Sequence, residues 1–202
     1  MGNLISYCDD KSDLKFRDED NALAAKWQMS EKKVSLLRKR FNSIDREAKG
    51  FSTRGDLLSV KGLVLNPFID RIVEIFFQKA DRKEGEEKLY FSQFLETVLI
   101  FRPVKERDVN NPDKVNSRIN KVRFAYRMYD LDNDGSISKD EILGVLVMMV
   151  GPHVDKEQLE EIAERAMREV DDDADNTMSF EEYAKIMERV AVEEKMSIKF
   201  LE

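Results

Sequence analysis

Apolar residues recur along this chain at three- and four-residue intervals, in stripes separated by short polar stretches, the signature of amphipathic helices joined by loops. Val34, Leu36, Leu37, Phe41 and Ile44 form the first stripe. Ser30 is placed as an N-cap and Glu31 in the positive first turn, so a helix is expected from residue 31. Asn66 and Pro67 predict a second start, with proline at the first helical position and Phe68, Ile69, Ile72, Val73, Ile75 and Phe76 behind it. A further stripe holds Phe91, Phe94, Leu95, Val98 and Leu99. Residues 102–118 carry Pro103, Pro112, asparagines and mixed charges without an apolar period, and read as a linker. Beyond it Val122, Phe124, Ala125, Met128 and Tyr129 resume the helical pattern, and residues 142–150 are apolar nearly all round. Asp155 with Gln158 reads as a capping box ahead of Leu159, Ile162, Ala163, Met167 and Val170. Residues 1–29, where acids and bases mix without period, read as a flexible arm.

The polar stretches are themselves patterned. Residues 130–141 place Asp130, Asp132, Asp134, Ser136, Ser138 and Glu141 at positions 1, 3, 5, 7, 9 and 12 of a loop, with Gly135 at the sharp turn of position 6 and apolar Ile137 at position 8. These are the requirements of an EF-hand calcium loop, whose oxygens come from those places, the seventh through its carbonyl. Residues 171–182 repeat the pattern with Asp171, Asp173, Asp175, Thr177, Ser179 and Glu182, departing only in Asn176 at the sixth place, where asparagine is the next-best left-handed residue. Residues 45–56 keep Asp45, Glu47, Gly50 and Asp56 in register but put Lys49 at the fifth place and Ser52 at the eighth. A cation cannot ligate a cation, and Asp reaches less far than Glu, so this loop is expected to hold no metal. In the second unit, a register on Leu89 puts Arg82 first and Gln93 last, which leaves a helix-loop-helix without ligands.

The expected architecture is all-α and two-lobed, with four helix-loop-helix units: an arm over 1–29, an N-terminal lobe over 30–101, a linker over 102–118 and a C-terminal lobe over 119–202. Short β pairing is expected between Ile137 and Met178. Converging carboxylates repel until a divalent cation neutralises them, and a bidentate Glu at the twelfth place favours calcium over magnesium, so two calcium ions are the expected cofactors. Met148, Met149 and Met167 are adaptable packers that fit either an ordinary core or a groove for a partner's amphipathic helix, and the tail residues Met196 and Ile198 suit a lid over such a groove or simple packing on the lobe.

Composition narrows the classes. With 41 acidic against 34 basic residues, and a net charge of -7, nothing supports binding to a nucleic-acid backbone. Cys8 is the only cysteine and His153 the only histidine, and no catalytic constellation forms around either. The lone cysteine allows no internal disulfide and points to a reducing compartment. Met1-Gly2-Asn3-Leu4-Ile5-Ser6 matches the N-myristoylation signal, placing a lipid on Gly2; Cys8 is either a palmitoylation site or a free thiol. A single such chain gives marginal membrane affinity, so cytoplasmic residence with peripheral membrane association is expected.

The lipidation start, the degenerate first pair of loops, the intact second pair, Leu65-Asn66-Pro67-Phe68-Ile69-Asp70-Arg71-Ile72, the stretch Asn116-Ser117-Arg118 and the ending Glu194-Lys195-Met196-Ser197-Ile198-Lys199-Phe200-Leu201 together resemble the calcineurin B homologous proteins. The resemblance implies an all-helical partner of plasma-membrane sodium/proton exchangers that holds a cytoplasmic juxtamembrane helix and so supports intracellular pH regulation. It also implies opposition to calcineurin and a link to vesicle traffic; passage through the nucleus is left open. A regulatory subunit of calcineurin itself is the neighbouring reading; four intact loops are expected of it, which Lys49 and Gln93 oppose. A calcium buffer without a dedicated client is the third, and it would expose no extra apolar surface with calcium.

Overall fold

The computed structural model describes residues 16–83, 86–151 and 154–198. In the N-terminal half, α1 (Arg17–Trp27) and α2 (Glu31–Ile44) lead into the first loop, followed by α3 (Arg54–Leu58), α4 (Lys61–Val64) and α5 (Ile69–Phe77). A short ribbon of β1 (Asp81–Lys83) and β2 (Glu86–Lys88) precedes α6 (Phe91–Leu99). The C-terminal half comprises α7 (Arg118–Tyr129), β3 (Ile137–Ser138), α8 (Lys139–Val150), α9 (Lys156–Val170), β4 (Thr177–Met178), α10 (Phe180–Met187) and α11 (Val192–Lys195). Between the halves, residues 102–118 hold only the 3-10 turn Glu106–Asp108 ahead of α7, and the crossing is pinned by Asn116, whose amide donates to the Pro103 carbonyl at 2.9 Å.

Each helix leaving a loop starts by the same local device. The ninth loop residue is extended and acts as N-cap, and the twelfth folds back onto its amide, satisfying donors that a helix start leaves open. Thr53 with Asp56, Ser138 with Glu141 and Ser179 with Glu182 form complete capping boxes, while Gln93 makes the return bond to Tyr90 N–H at 2.8 Å. The twelfth position is therefore structural before it is anything else. The eighth positions pair across each half: Ile137 opposes Met178 in β3–β4, and Ser52 bridges Leu89.

Each half has its own apolar cluster. In the first, Phe41 meets Phe91 and Phe94 with ring centroids 5.7 and 5.3 Å apart, around Val34, Leu37, Leu57, Phe77, Leu89 and Leu95. The second gathers Val122, Tyr126, Ile137, Ile142, Ala163, Met167, Met178 and Tyr183. Burial of each such side chain is worth about 1.5–3 kcal/mol, the main favourable term in either lobe.

Several expectations change. The flexible-arm reading fails for residues 17–27, which form α1 and bury Leu23 and Ala24 in the first cluster. The cause is long-range: the buried guanidinium of Arg38 stacks 3.8 Å from the centre of the Phe91 ring and is held by Asp20 at 2.6 Å and Glu19 at 2.8 Å, so the charges that look aperiodic in sequence are partners of α2. Leu36 lies off the apolar face and is exposed. Asn66 accepts from Phe68 N–H at 2.9 Å, making a turn that delays the helix to Ile69. Asp155 caps α9 through Glu157 N–H without a reciprocal bond from Gln158, and Ser30 occupies the N-cap of α2 without a side-chain bond.

Replacing Arg38 with Met keeps volume but leaves Asp20 and Glu19 facing an apolar site. Thermal unfolding in chelator should show a loss of about 1–3 kcal/mol, and trypsin should cut within α1 faster than in the wild type.

Candidate metal centre and apolar groove

In the loop following α7, one carboxylate oxygen from each of Asp130, Asp132 and Asp134 lies within 4.8 Å of the others, and Asp171, Asp173 and Asp175 converge in the same way after α9. Backbone turns build these cups. Asp134 N–H donates to Asp132 at 3.0 Å and Ser136 N–H to Asp134 at 2.8 Å; in the other loop Thr177 N–H donates to Asp175 at 2.7 Å. Gly135 and Asn176 take positive φ at the sixth place, as the turn requires. Glu141 folds over its loop, accepting from Leu131 N–H at 2.6 Å and Ser138 N–H at 2.7 Å, and Glu182 accepts from Asp172 N–H and Ser179 N–H, both at 2.8 Å. Thus Asp130, Asp132 and Asp134 converge in one cup and Asp171, Asp173 and Asp175 in the other, while Glu141 and Glu182 are held on the backbone amides of their loops and Ser136 and Thr177 bond to Asp134 and Asp175. Tyr126 ties the two loops together, its hydroxyl 2.9 Å from the Gly135 carbonyl and 2.8 Å from that of Met178.

The residues fit a divalent cation. Asp130 is buried and its Oδ1 has no hydrogen-bond partner among the described residues, an orphaned acceptor of a kind that is costly unless a cation or donor meets it. Burial and then Glu141 push the Asp130 carboxyl above its ordinary range, with Arg71 pulling the other way; Asp173 is raised by desolvation and by Asp175. Glu182, by contrast, is held below its ordinary range by the bonds from Ser179 and Asp172. Charged oxygens of this number and type suit a hard cation such as calcium.

The first loop is closed from within. Lys49 reaches across its loop, with Nζ 3.2 Å from Asp56 and 3.3 Å from Glu47, so an ammonium supplies the positive charge there. Burial raises the Asp56 carboxyl, but the bonds from Thr53 and Lys49 outweigh it and leave it below its ordinary range. Asp45 is satisfied by Lys49 N–H at 3.0 Å and Gly50 N–H at 2.7 Å. At the end of the second loop the neutral Gln93 donates to the Lys79 carbonyl at 2.8 Å.

Between the lobes lies an almost wholly apolar cavity of about 550 Å³. Phe68, Ile72 and Phe76 form one wall, Phe101, Phe124, Met128 and Tyr129 another, and Val145, Met149, Tyr183, Met187 and Met196 complete it. Of the methionines singled out in the sequence, Met149 faces the groove and Met167 is core. Met187 and the aromatic wall from the first lobe were missed, because a helix apolar on several sides does not reveal which side is covered. The tail is tied beside the groove at Ile198, whose N–H donates to the Phe101 carbonyl at 2.7 Å. Gly2, Cys8, His153 and residues 199–202 lie outside the described residues. Among those described, no helix is long and apolar enough to cross a membrane.

Paired helix-loop-helix units with acidic loops define a calcium-binding EF-hand protein, and a family profile for an EF-hand domain pair matches residues 119–188. The chain belongs to the calcineurin B family: it is 31% identical to the calcineurin B protein of Naegleria gruberi over 84% of this chain and 87% of that one. It is also 33% identical to the calcineurin B protein of Kluyveromyces lactis over 82% and 85%, and 32% identical to the type 1 calcineurin B protein of Dictyostelium discoideum over 86% and 88%. No catalytic family is indicated, and the protein is a regulatory one.

Lys121 on α7 is fully buried and donates to the tail, to the Met196 carbonyl and to Ser197 Oγ. Burial pulls it down to about 8, with Glu193 opposing, from 10.5 for an exposed lysine. The folded state therefore carries a desolvated ammonium below pH 8, and that cost disappears as pH rises from about 8 towards the unfolded value of 10.5. Between pH 7.5 and 10, the thermal stability of the wild type should gain relative to Lys121→Met.

Proposed function

We propose that the protein is a calcium-dependent regulatory subunit that grips one amphipathic helix of a larger client in the groove between its lobes. The observation that carries this is the coincidence of an apolar groove, rich in Met and Phe, with two cation cups on the helices forming its walls. Asp130, Asp132, Asp134, Ser136 and Glu141 would hold one calcium ion, and Asp171, Asp173, Asp175, Thr177 and Glu182 a second. Calcium, when bound, supplies the positive charge that the converging carboxylates lack. The chain's own residues do the rest: Glu141 and Glu182 cap α8 and α10, and Tyr126 holds the loops side by side while the groove presents its apolar walls.

The relatives support a calcineurin-type catalytic partner as the client, since those proteins are calcineurin B proteins. One observation favours a second client, the juxtamembrane helix of a sodium/proton exchanger: Lys49 and Gln93 close the first two loops without metal, where a calcineurin regulatory subunit is expected to keep four acidic loops. In either case myristoylation of Gly2 would add peripheral membrane attachment, and the protein itself catalyses nothing.

Calorimetric titration of the full chain decides between clients. Calcium alone should titrate two sites, and Glu141→Gln or Glu182→Gln should each remove one. A helix from the calcineurin catalytic partner and an exchanger juxtamembrane helix, each added with calcium and with chelator, should show one-to-one binding of one peptide, roughly tenfold or more tighter with calcium. Binding of neither peptide would leave a calcium buffer.

A further inference from the structure

Arg71 belongs to α5 in the first lobe, yet every side-chain hydrogen bond it makes among the described residues lies in the second. Its guanidinium is buried. Nε donates to the Arg127 carbonyl at 2.7 Å and Nη1 to the Leu131 carbonyl at 3.2 Å; Nη2 donates to Arg127 again, to the Asp130 carbonyl and to Asn133 Oδ1 at 3.1 Å. Two turns further along the same face, Gln78 donates to the same Asn133 oxygen at 2.8 Å. The acceptors are the last turn of α7 and the first, second and fourth residues of the 130–141 loop. A helix C-terminus leaves carbonyls open and negative, and a planar fork of donors satisfies several at once, which is why a permanently charged side chain tolerates burial here.

The two elements that Arg71 joins are also two walls of the groove. Ile72 and Phe76 on α5 face it from one side, Phe124 and Met128 on α7 from the other. Any ordering of the 130–141 loop that fixes the Asp130 and Leu131 carbonyls therefore fixes α5, and a helix seated between the walls fixes the loop in return. The 171–182 loop has no such tie: among the described residues, no side chain of the first lobe donates to it. We infer that Arg71 is the positioning residue through which occupancy of the 130–141 loop and occupancy of the groove are coupled across the two lobes, a direct tie that the 171–182 loop lacks. This rests on the reading of the groove as a client-helix site.

The guanidinium charge also acts directly on a cation in the loop, but that repulsion shifts affinity by a similar factor with the groove empty or filled. The ratio of the two affinities isolates the positional effect. Calcium affinities are measured by competition with a chromophoric chelator, in the full chain alone and saturated with the helix peptide that binds it. In the wild type the peptide should tighten the 130–141 site by about tenfold, within the 5–150-fold usual for coupled sites; in Arg71→Met that factor should fall below about twofold, with the peptide's factor at the other site the same as in the wild type. Arg71→Lys keeps the charge but lacks the fork and should also lose the coupling, which separates geometry from charge. Asn133→Gly, which keeps the left-handed backbone at this position and leaves Arg71 in place, should weaken it by an intermediate factor and covers the case in which Arg71→Met does not fold. A folded Arg71→Met or Asn133→Gly protein with the full wild-type factor overturns the inference and leaves the client reading intact. A wild type that binds neither peptide overturns both.

Discussion

Carboxylates brought together in a folded loop need positive charge, and each half of this protein meets that need differently. In the 45–56 loop the charge is internal: Lys49 sits between Glu47 and Asp56, and Asp45 is taken up by backbone amides. Among the described residues, no lysine or arginine side chain pairs with Asp130, Asp132, Asp134, Asp171, Asp173 or Asp175. Asp130 keeps a buried oxygen with no partner among the described residues, and burial together with Glu141 raises its carboxyl. The 45–56 loop is thus closed by its own sequence, whereas the acidic clusters of the other two fit a cation from outside.

That asymmetry has a use at the groove. The first lobe offers the wall of Phe68, Ile72 and Phe76, while the second offers walls on α7, α8 and α10, the helices that flank the cation cups. On the proposed reading, a client helix would meet both surfaces at once. Arg71 and Gln78 bridge the two lobes, and Met196, whose carbonyl accepts from Lys121, adds to the groove lining.

Much of this was legible from residue order. Loop register follows from the alternation of Asp130, Asp132 and Asp134 and from Gly135, and the β3–β4 pairing from Ile137 and Met178, because these are local requirements of one turn and one ladder. What was not legible depends on distant partners. Helix α1 looked like an aperiodic arm because Asp20 and Glu19 find their partner in Arg38, on the next helix. Lys49 was readable as a residue that cannot ligate, but its bridging of Glu47 and Asp56 needs the loop's three-dimensional closure. Nothing local to Arg71 names the carbonyls at the end of α7 and in the 130–141 loop as its partners. The apolar stripe around it could not say that Val73 and Phe77 are core while Ile72 and Phe76 face the groove.

A difference between the two lobes in the source of their loop charge is read out by amide hydrogen exchange of the full chain with calcium and with chelator. Residues 45–56 should be equally protected in both conditions, whereas residues 130–141 and 171–182 should gain at least about tenfold protection with calcium, the factor that corresponds to a coupling of about 1.4 kcal/mol. Calcium-dependent protection of the 45–56 loop, or none in the other two, would contradict the account.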